Sequence, residues 1–202
     1  MVCNLTNKFD RAKVEEAVKS LLEAFGEDVH REGLLETPRR VAGYWEEFLE
    51  GNKYTNEELA ENLKKDFKVM SNPLVVKEIK PLYSHCEHHL AIMSAGRMVV
   101  AYIPEKTEDG RFKVIGLSKL PRIADLVCKR LQLQEKIAWD MAECLQLATG
   151  SKNIFVYTEF DHACVSARGI KKDGFTKVVE MRGEFLENMA LRAEVESMVG
   201  HA

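Results

Sequence analysis

The stretch Ser84-His85-Cys86-Glu87-His88-His89 concentrates metal-binding side chains in the middle of the chain. Cys86 and His89 stand three residues apart, a spacing at which one short turn presents a sulfur and a nitrogen to the same Zn²⁺. A second pair of soft ligands, His162 and Cys164, follows far downstream. Two distant segments that meet at one metal are more typical of an enzyme centre than of a small zinc-stapled module.

The stretch lies between segments that are rich in β-forming residues. Strands are predicted at residues 74–83, 90–103, 153–160, 164–167 and 176–182. Residues 104–113 contain Asp109-Gly110 and predict a hairpin connection, after which residues 114–116 resume the strand. The strands before and after the metal-binding stretch therefore predict a sheet that carries the site.

Helical spacing dominates the rest of the chain. Apolar residues from Val14 to Phe25 form one stripe, and a second helix is predicted to begin with Thr37 as N-cap and Pro38 at the first helical position. Further helices are predicted at residues 56–65, after Ser118, at 134–148 and at 184–199.

The order of these elements predicts an α+β fold with an antiparallel sheet. Near residue 73 the sequence changes from helical spacing of apolar residues to segments rich in β-forming residues. This change predicts two parts, an N-terminal helical arm (residues 1–73) and a main domain (residues 74–202). A chain of 202 residues is long enough to bury a substantial core.

Composition and charge exclude some function classes. The 29 Lys and Arg residues against 32 Asp and Glu residues give a net charge of −3, which disfavours nucleic acid as a partner. No apolar run approaches the roughly 20 residues that span a bilayer, and the N-terminus lacks a signal-peptide core. We therefore expect a cytoplasmic protein without a membrane partner.

The five cysteines are Cys3, Cys86, Cys128, Cys144 and Cys164. An odd number at irregular spacing does not predict a disulfide framework. Metal binding or burial explains them better.

We predict Cys86, His89 and Cys164 as metal ligands. Three protein ligands leave the fourth tetrahedral position open for water, which is the catalytic arrangement, whereas structural zinc sites close all four positions. The alternative is that the cysteines are buried apolar residues and the histidines are hydrogen-bonded polar groups.

His88 and His162 are the candidates for proton transfer, because imidazole titrates near neutral pH. Either ring could instead orient a ligand or the bound water. Glu87, between the candidate ligands, is either structural or tunes them.

A basic cluster predicts an anion site. Lys119 and Arg122 lie in the first turns of the helix that begins at Ser118, and a helix N-terminus with a hydroxyl and two cations attracts phosphate. Arg168, with Lys171 and Lys172, adds positive charge close to Cys164 in sequence. The alternative is a solvated basic helix face.

Gln134 and Glu135 open the next helix. A carboxylate there can accept the two N–H groups of a guanine edge, although Glu is commonplace in a first helical turn.

The chain resembles the GTP cyclohydrolase I family. The segments that carry the resemblance are REGLLETPRRVA (31–42), CEHHL (86–90), GLSKLPRI (116–123), QLQE (132–135) and HACVSARGI (162–170). They extend from about residue 10 to the C-terminal helix. The resemblance implies the tunnelling fold, with helices on one face of the sheet, and homodecamers whose active sites lie between subunits.

The resemblance also implies roles for individual residues. Zn²⁺ would bind to Cys86, His89 and Cys164, and the catalytic groups would be His88 and His162, in proton transfer, together with Ser118. The implied substrate contacts are Ser118, Lys119, Arg122, Arg168 and a neighbouring subunit's Arg40 on the triphosphate, and Glu135, helped by Gln134, on the guanine.

The implied reaction converts GTP and water to 7,8-dihydroneopterin triphosphate and formate, the first step of pterin and folate-type biosynthesis. Zinc supplies hydroxide near neutral pH for attack on C8 of the guanine while a histidine protonates N7. Two rival hypotheses are a non-catalytic zinc protein with the same fold and an enzyme for another nucleotide, such as dGTP.

Overall fold

The computed structural model describes residues 9–63 and 66–199. Cys3 and the last two residues of the helix predicted at 56–65 lie outside these ranges. The α-helices are α1 (Arg11–Ala24), α2 (Thr37–Phe48), α3 (Asn56–Leu63), α4 (Lys119–Cys128), α5 (Gln134–Thr149), α6 (Ala163–Ser166) and α7 (Met189–Val199). The strands are β1 (Asp66–Val69), β2 (Val75–Cys86), β3 (Ile92–Tyr102), β4 (Phe112–Ile115), β5 (Leu131–Gln132), β6 (Ile154–His162) and β7 (Phe175–Arg182).

The helices α1 and α2 pack against each other at the N-terminal end. The side chain of Asp10 caps α1 by accepting a hydrogen bond from the backbone N–H of Lys13 at 3.0 Å. The predicted N-cap of α2 is wrong: Glu36 occupies that position, and Thr37 is the first helical residue. The Thr37 hydroxyl bonds back to the carbonyl oxygen of Gly33 instead of capping the helix.

The apolar stripe of α1 is predicted correctly but is not buried. Among its residues, Leu21 is 51% exposed, and Phe25, just after the helix, is 69% exposed. No residue of α1 is buried, and part of the stripe lines an open groove together with Trp45 and Leu90.

Five strands form the main sheet in the order β5-β2-β3-β6-β7. All neighbouring pairs are antiparallel except β2 and β5, which are parallel. The helices α4 and α5 cover one face of this sheet, which confirms the predicted α+β class with a mainly antiparallel sheet, but the helices are not confined to that face. The C-terminal helix α7 adds a smaller apolar cluster on the opposite face.

Alternate side chains of β3 belong to two apolar clusters, which lie on opposite faces of the sheet. Met98 and Val100 belong to the large core with α4 and α5, whereas Val99 and Ala101 pack with Phe185 and the α7 residues. Successive side chains of a strand point to opposite faces, so β3 is buried on both.

Two local predictions are wrong, and two short strands were not predicted. Residues 114–116 do not resume the main sheet; β4 pairs with β1 in a separate two-stranded sheet, and β1 was not predicted. Residues 164–167 do not form a strand, because the chain turns into α6 directly after β6. The short parallel strand β5 was also not predicted.

The division at residue 73 stays a prediction. The structure shows that α3 packs on α5 and that Leu59 and Ala60 belong to the large core. The buried Arg130 donates hydrogen bonds to Asn56 and to Asp140 of α5. Residues 50–60 are therefore anchored to the helices that cover the sheet. Among the described residues, no helix has the length and apolar character needed to cross a membrane.

Candidate metal centre and active site

A tight turn after β2 presents the first half of the site. The backbone N–H of Leu90 donates to the carbonyl oxygen of Cys86 at 3.0 Å, and the N–H of Cys86 donates to Ala91 at 2.9 Å. Leu90 has a φ of 52°, in the left-handed region that a β-carbon disfavours. This turn folds His88 and His89 back so that their Nδ1 atoms lie 3.8 and 3.9 Å from the Cys86 sulfur.

The register of the sheet brings the second half of the site to the first. Ser84 of β2 is paired with Met93 of β3, and Met93 is paired with His162 of β6. The ends of β2 and β6 therefore flank the same position of β3. The chain then turns into α6, and this turn brings Cys164 to Cys86.

Three ligand atoms converge at this point. One atom each of Cys86, His89 and Cys164 lies within 4.8 Å of the other two. Zn–S bonds of about 2.3 Å and Zn–N bonds of about 2.0–2.1 Å in a tetrahedron place ligand atoms about 3.5–3.8 Å apart. The 3.9 Å between Cys86 Sγ and His89 Nδ1 fits this requirement. The donor set suits zinc, and His88 is not part of it.

The two thiols are electrostatically unfavourable neighbours without a cation. Burial raises the pKa of Cys164, and the hydrogen bond to Cys86 and the charge of Cys86 raise it further. A divalent cation between the two sulfurs inverts this effect, because it stabilises both thiolates. The pair therefore favours a bound metal.

Arg168 lies against the predicted ligand His89. Its Nη1 atom is 3.0 Å from His89 Nε2, and its charge acts to lower the pKa of Cys164. The structure thus brings one of the predicted phosphate-binding cations to the metal centre.

His162 is held by Gln134. The ring Nε2 lies 2.7 Å from Gln134 Oε1. Burial lowers the pKa of His162, and the charges of Glu135 and Asp161 oppose this shift. Glu135 follows Gln134 in the first turn of α5 and is exposed.

The other predicted phosphate contacts lie at the start of α4. Lys119 and Arg122 line a small cavity of about 170 Å³ together with Tyr54. Ser118 is the N-cap of α4, but its side chain makes no capping hydrogen bond.

The opposite end of α4 adjoins the metal centre. There the Ser84 hydroxyl donates to the carbonyl oxygen of Cys128 at 2.7 Å. Ten helical residues at about 1.5 Å each place the start of α4 about 15 Å from that end. Within one chain, the cations of α4 therefore stand apart from Cys86.

Arg40 is exposed on α2, and Glu87 and His88 are exposed on the turn after β2. The assigned roles of all these residues in catalysis and binding stay predictions.

Sequence reasoning missed the aromatic cluster behind the metal centre. His85 is 2% exposed, and its ring packs against Tyr44, Trp45 and Phe48 of α2. The Tyr44 hydroxyl is hydrogen-bonded to His85 Nε2, whereas Nδ1 is buried without a partner in the described structure. The available signal was the spacing of Tyr44, Trp45 and Phe48, which places three aromatic side chains on one face of α2.

Comparisons with known proteins agree with the resemblance seen in the sequence. The family model described as GTP cyclohydrolase I matches residues 14–200. A protein of Clostridium beijerinckii named GTP cyclohydrolase 1 is 42% identical over 198 residues, covering 94% of this chain and 97% of the relative. Its namesake in Clostridium botulinum strain Kyoto is 45% identical over 185 residues, covering 87% of this chain and 90% of the relative.

A solved structure, the apo form of an archaeosine synthase QueF-Like, matches 56% of this chain and 96% of its own, with 20% identity and a TM-score of 0.40. The family model and the curated relatives each cover most of the chain. The chain therefore belongs to the GTP cyclohydrolase I family.

Proposed function

We propose that this protein is a zinc-dependent GTP cyclohydrolase that converts GTP and water to 7,8-dihydroneopterin triphosphate and formate. Family membership supports the reaction class. The observation that carries the proposal is the convergence of Cys86, His89 and Cys164 from two distant segments. A zinc ion held by these three residues would supply a hydroxide nucleophile near neutral pH.

The histidines beside the ligands handle the protons in this proposal. His162 is half-buried, and Gln134 fixes its ring at 2.7 Å, so it is positioned to protonate N7 of the guanine as C8 is attacked. His88 is exposed on the ligand turn and serves the later proton transfers of ring opening and reclosure. Glu135 accepts the N–H groups of the guanine edge.

The cations fix the triphosphate and so position C8 at the metal centre. Arg168 acts from beside His89, while Ser118, Lys119 and Arg122 act from the start of α4. Since the start of α4 stands about 15 Å from the end near Cys128, we propose that neighbouring subunits complete each site, with Arg40 also contributed across the interface.

Two features support a homo-oligomer, which we propose to be a decamer. Within the described residues, β7 pairs with β6 alone, and β5 pairs with only two residues of β2. The sheet therefore has long unpaired edges at both ends, which associate readily with other strands. The exposed apolar stripe of α1 provides a second contact surface.

The test is to incubate the zinc-loaded protein with GTP and to measure formate release and, after oxidation, pterin fluorescence. Both signals together establish the complete reaction. Formate without pterin would show that ring opening occurs but reclosure does not, which contradicts the proposed product. If neither signal appears although zinc is bound, the proposed activity is wrong, and dGTP and other nucleotides become the substrates to examine.

A further inference from the structure

The hydrogen bonds of Gln134 point to a role other than substrate binding. Its side-chain nitrogen donates to the carbonyl oxygens of Thr158 at 3.1 Å and Thr176 at 2.9 Å, and it lies 3.2 Å from the Thr158 hydroxyl. Its oxygen faces His162 Nε2 at 2.7 Å. Gln134 is only 2% exposed.

We propose that Gln134 is a positioning residue that holds His162 in the tautomer with hydrogen on Nε2, so that Nδ1 is the ring nitrogen offered to the substrate. The inference rests on the proposed function for its catalytic meaning. The tautomer itself follows from the hydrogen bonds alone.

The orientation of the Gln134 amide is fixed by its neighbours. Two backbone carbonyl oxygens face the amide nitrogen, and carbonyl oxygens only accept hydrogen bonds. A flipped amide would turn its own oxygen towards them and lose both bonds, which is costly in a buried position. The Gln134 oxygen therefore faces His162.

The amide oxygen in turn fixes the imidazole. An amide oxygen can only accept, so His162 Nε2 must carry a hydrogen to complete the bond. A neutral ring then has its lone pair on Nδ1, and only the imidazolium, with a hydrogen on each ring nitrogen, can donate a proton from Nδ1 to N7 of the guanine. Within residues 9–63 and 66–199, Nδ1 of His162 has no hydrogen-bond partner in the protein, so it is available to a ligand.

Because every hydrogen-bonding group of its amide is already used, Gln134 is not expected to contact the guanine. Both amide hydrogens and the amide oxygen are engaged with Thr158, Thr176 and His162. A direct contact with the base would break buried hydrogen bonds. We assign the guanine edge to the exposed Glu135 alone, in place of the shared contact that the resemblance implied.

The spectroscopic test is solid-state NMR of the zinc-loaded protein labelled with ¹⁵N-histidine, with His162 signals identified by their loss in His162→Asn. We expect the Nε2–H tautomer in the unmodified protein and a shift towards the other tautomer in Gln134→Met. An Nδ1–H tautomer in the unmodified protein would overturn the inference. This readout does not require turnover, so it stands even if GTP is not the substrate.

The kinetic test separates positioning from substrate contact. For Gln134→Met we expect kcat to fall at least about tenfold, within the range that general acid–base catalysis contributes, while KM for GTP changes less than about twofold. Thr158→Val is the matched control, because it removes the hydroxyl but keeps the backbone carbonyl; it should retain the tautomer and kcat. A large rise in KM with unchanged kcat in Gln134→Met would instead show that Gln134 contacts GTP.

Discussion

The Nη1 atom of Arg168 lies 3.0 Å from Nε2 of His89, which is a predicted metal ligand. This contact is incompatible with a bound metal whichever ring nitrogen the metal takes. A metal on Nε2 uses the lone pair that Arg168 needs, and a metal on Nδ1 places the hydrogen on Nε2, where an arginine N–H finds no acceptor. Metal loading should therefore release Arg168.

Because zinc loading should free the Arg168 guanidinium, we expect zinc to strengthen the binding of phosphate. We expect zinc-loaded protein to bind inorganic tripolyphosphate about 3- to 10-fold more tightly than metal-free protein, because charge-assisted hydrogen bonds to phosphate become available. Titration calorimetry measures this. In Arg168→Gln the gain should shrink to the part due to the charge of zinc itself. Arg39→Gln, on the exposed surface of α2, should behave like the unmodified protein, and an equal gain in Arg168→Gln would contradict this expectation.

Cys164→Ser should lose stoichiometric zinc and nearly all activity. The hydroxyl is a much poorer zinc ligand than a thiolate, and the remaining Cys86 and His89 would hold the ion with two side chains. Metal content after dialysis, by mass spectrometry, is the measurement. Cys144→Ser serves as the control, since Cys144 is buried in the core and should leave the zinc content unchanged. Full zinc in Cys164→Ser would remove Cys164 from the ligand set.

His88 and His89 form a matched pair, because both Nδ1 atoms lie within 4 Å of the Cys86 sulfur. We expect His89→Ala to lose zinc and His88→Ala to keep it, since only His89 also approaches Cys164. His88→Ala should still lower kcat about 10²-fold or more through its proton-transfer role. If His88→Ala loses zinc and His89→Ala keeps it, His88 is the ligand and His89 is not.

Tyr44→Phe should destabilise the protein by about 1–3 kcal/mol, because the buried His85 Nε2 loses its hydrogen-bond partner. Thermal and denaturant unfolding report this change. Tyr83→Phe is the control, since Tyr83 is 46% exposed and should alter the stability little. If Tyr44→Phe is as stable as the unmodified protein, the predicted loss is wrong and water replaces the phenol as the partner of His85 Nε2.

Local pattern was sufficient to predict the long elements and to propose Cys86 and His89 as metal ligands. The Cys86–His89 spacing and the helical pattern that predicts the helix at 134–148 are short-range signals, and Gly150, directly after α5, has a positive φ of 74°. Such signals depend on residues that are neighbours in the sequence.

Features set by distant partners could not be predicted. The strand β1 exists because it pairs with β4, about 45 residues later. Cys164 and Val165 were predicted in a strand, but the chain leaves β6 at His162 and turns towards Cys86. The roles of Gln134 and His85 depend on β6, β7 and α2, whose positions the sequence does not give.

The ligand positions at the ends of β2 and β6 have a mechanical consequence, since these strands are not neighbours but lie on either side of β3. An ion held by Cys86, His89 and Cys164 would act as a crosslink over the first residues of β3. Removal of the ion by a chelator should therefore accelerate amide hydrogen exchange at Ile92 and Met93 while the far end of β3, at Ala101, exchanges as before.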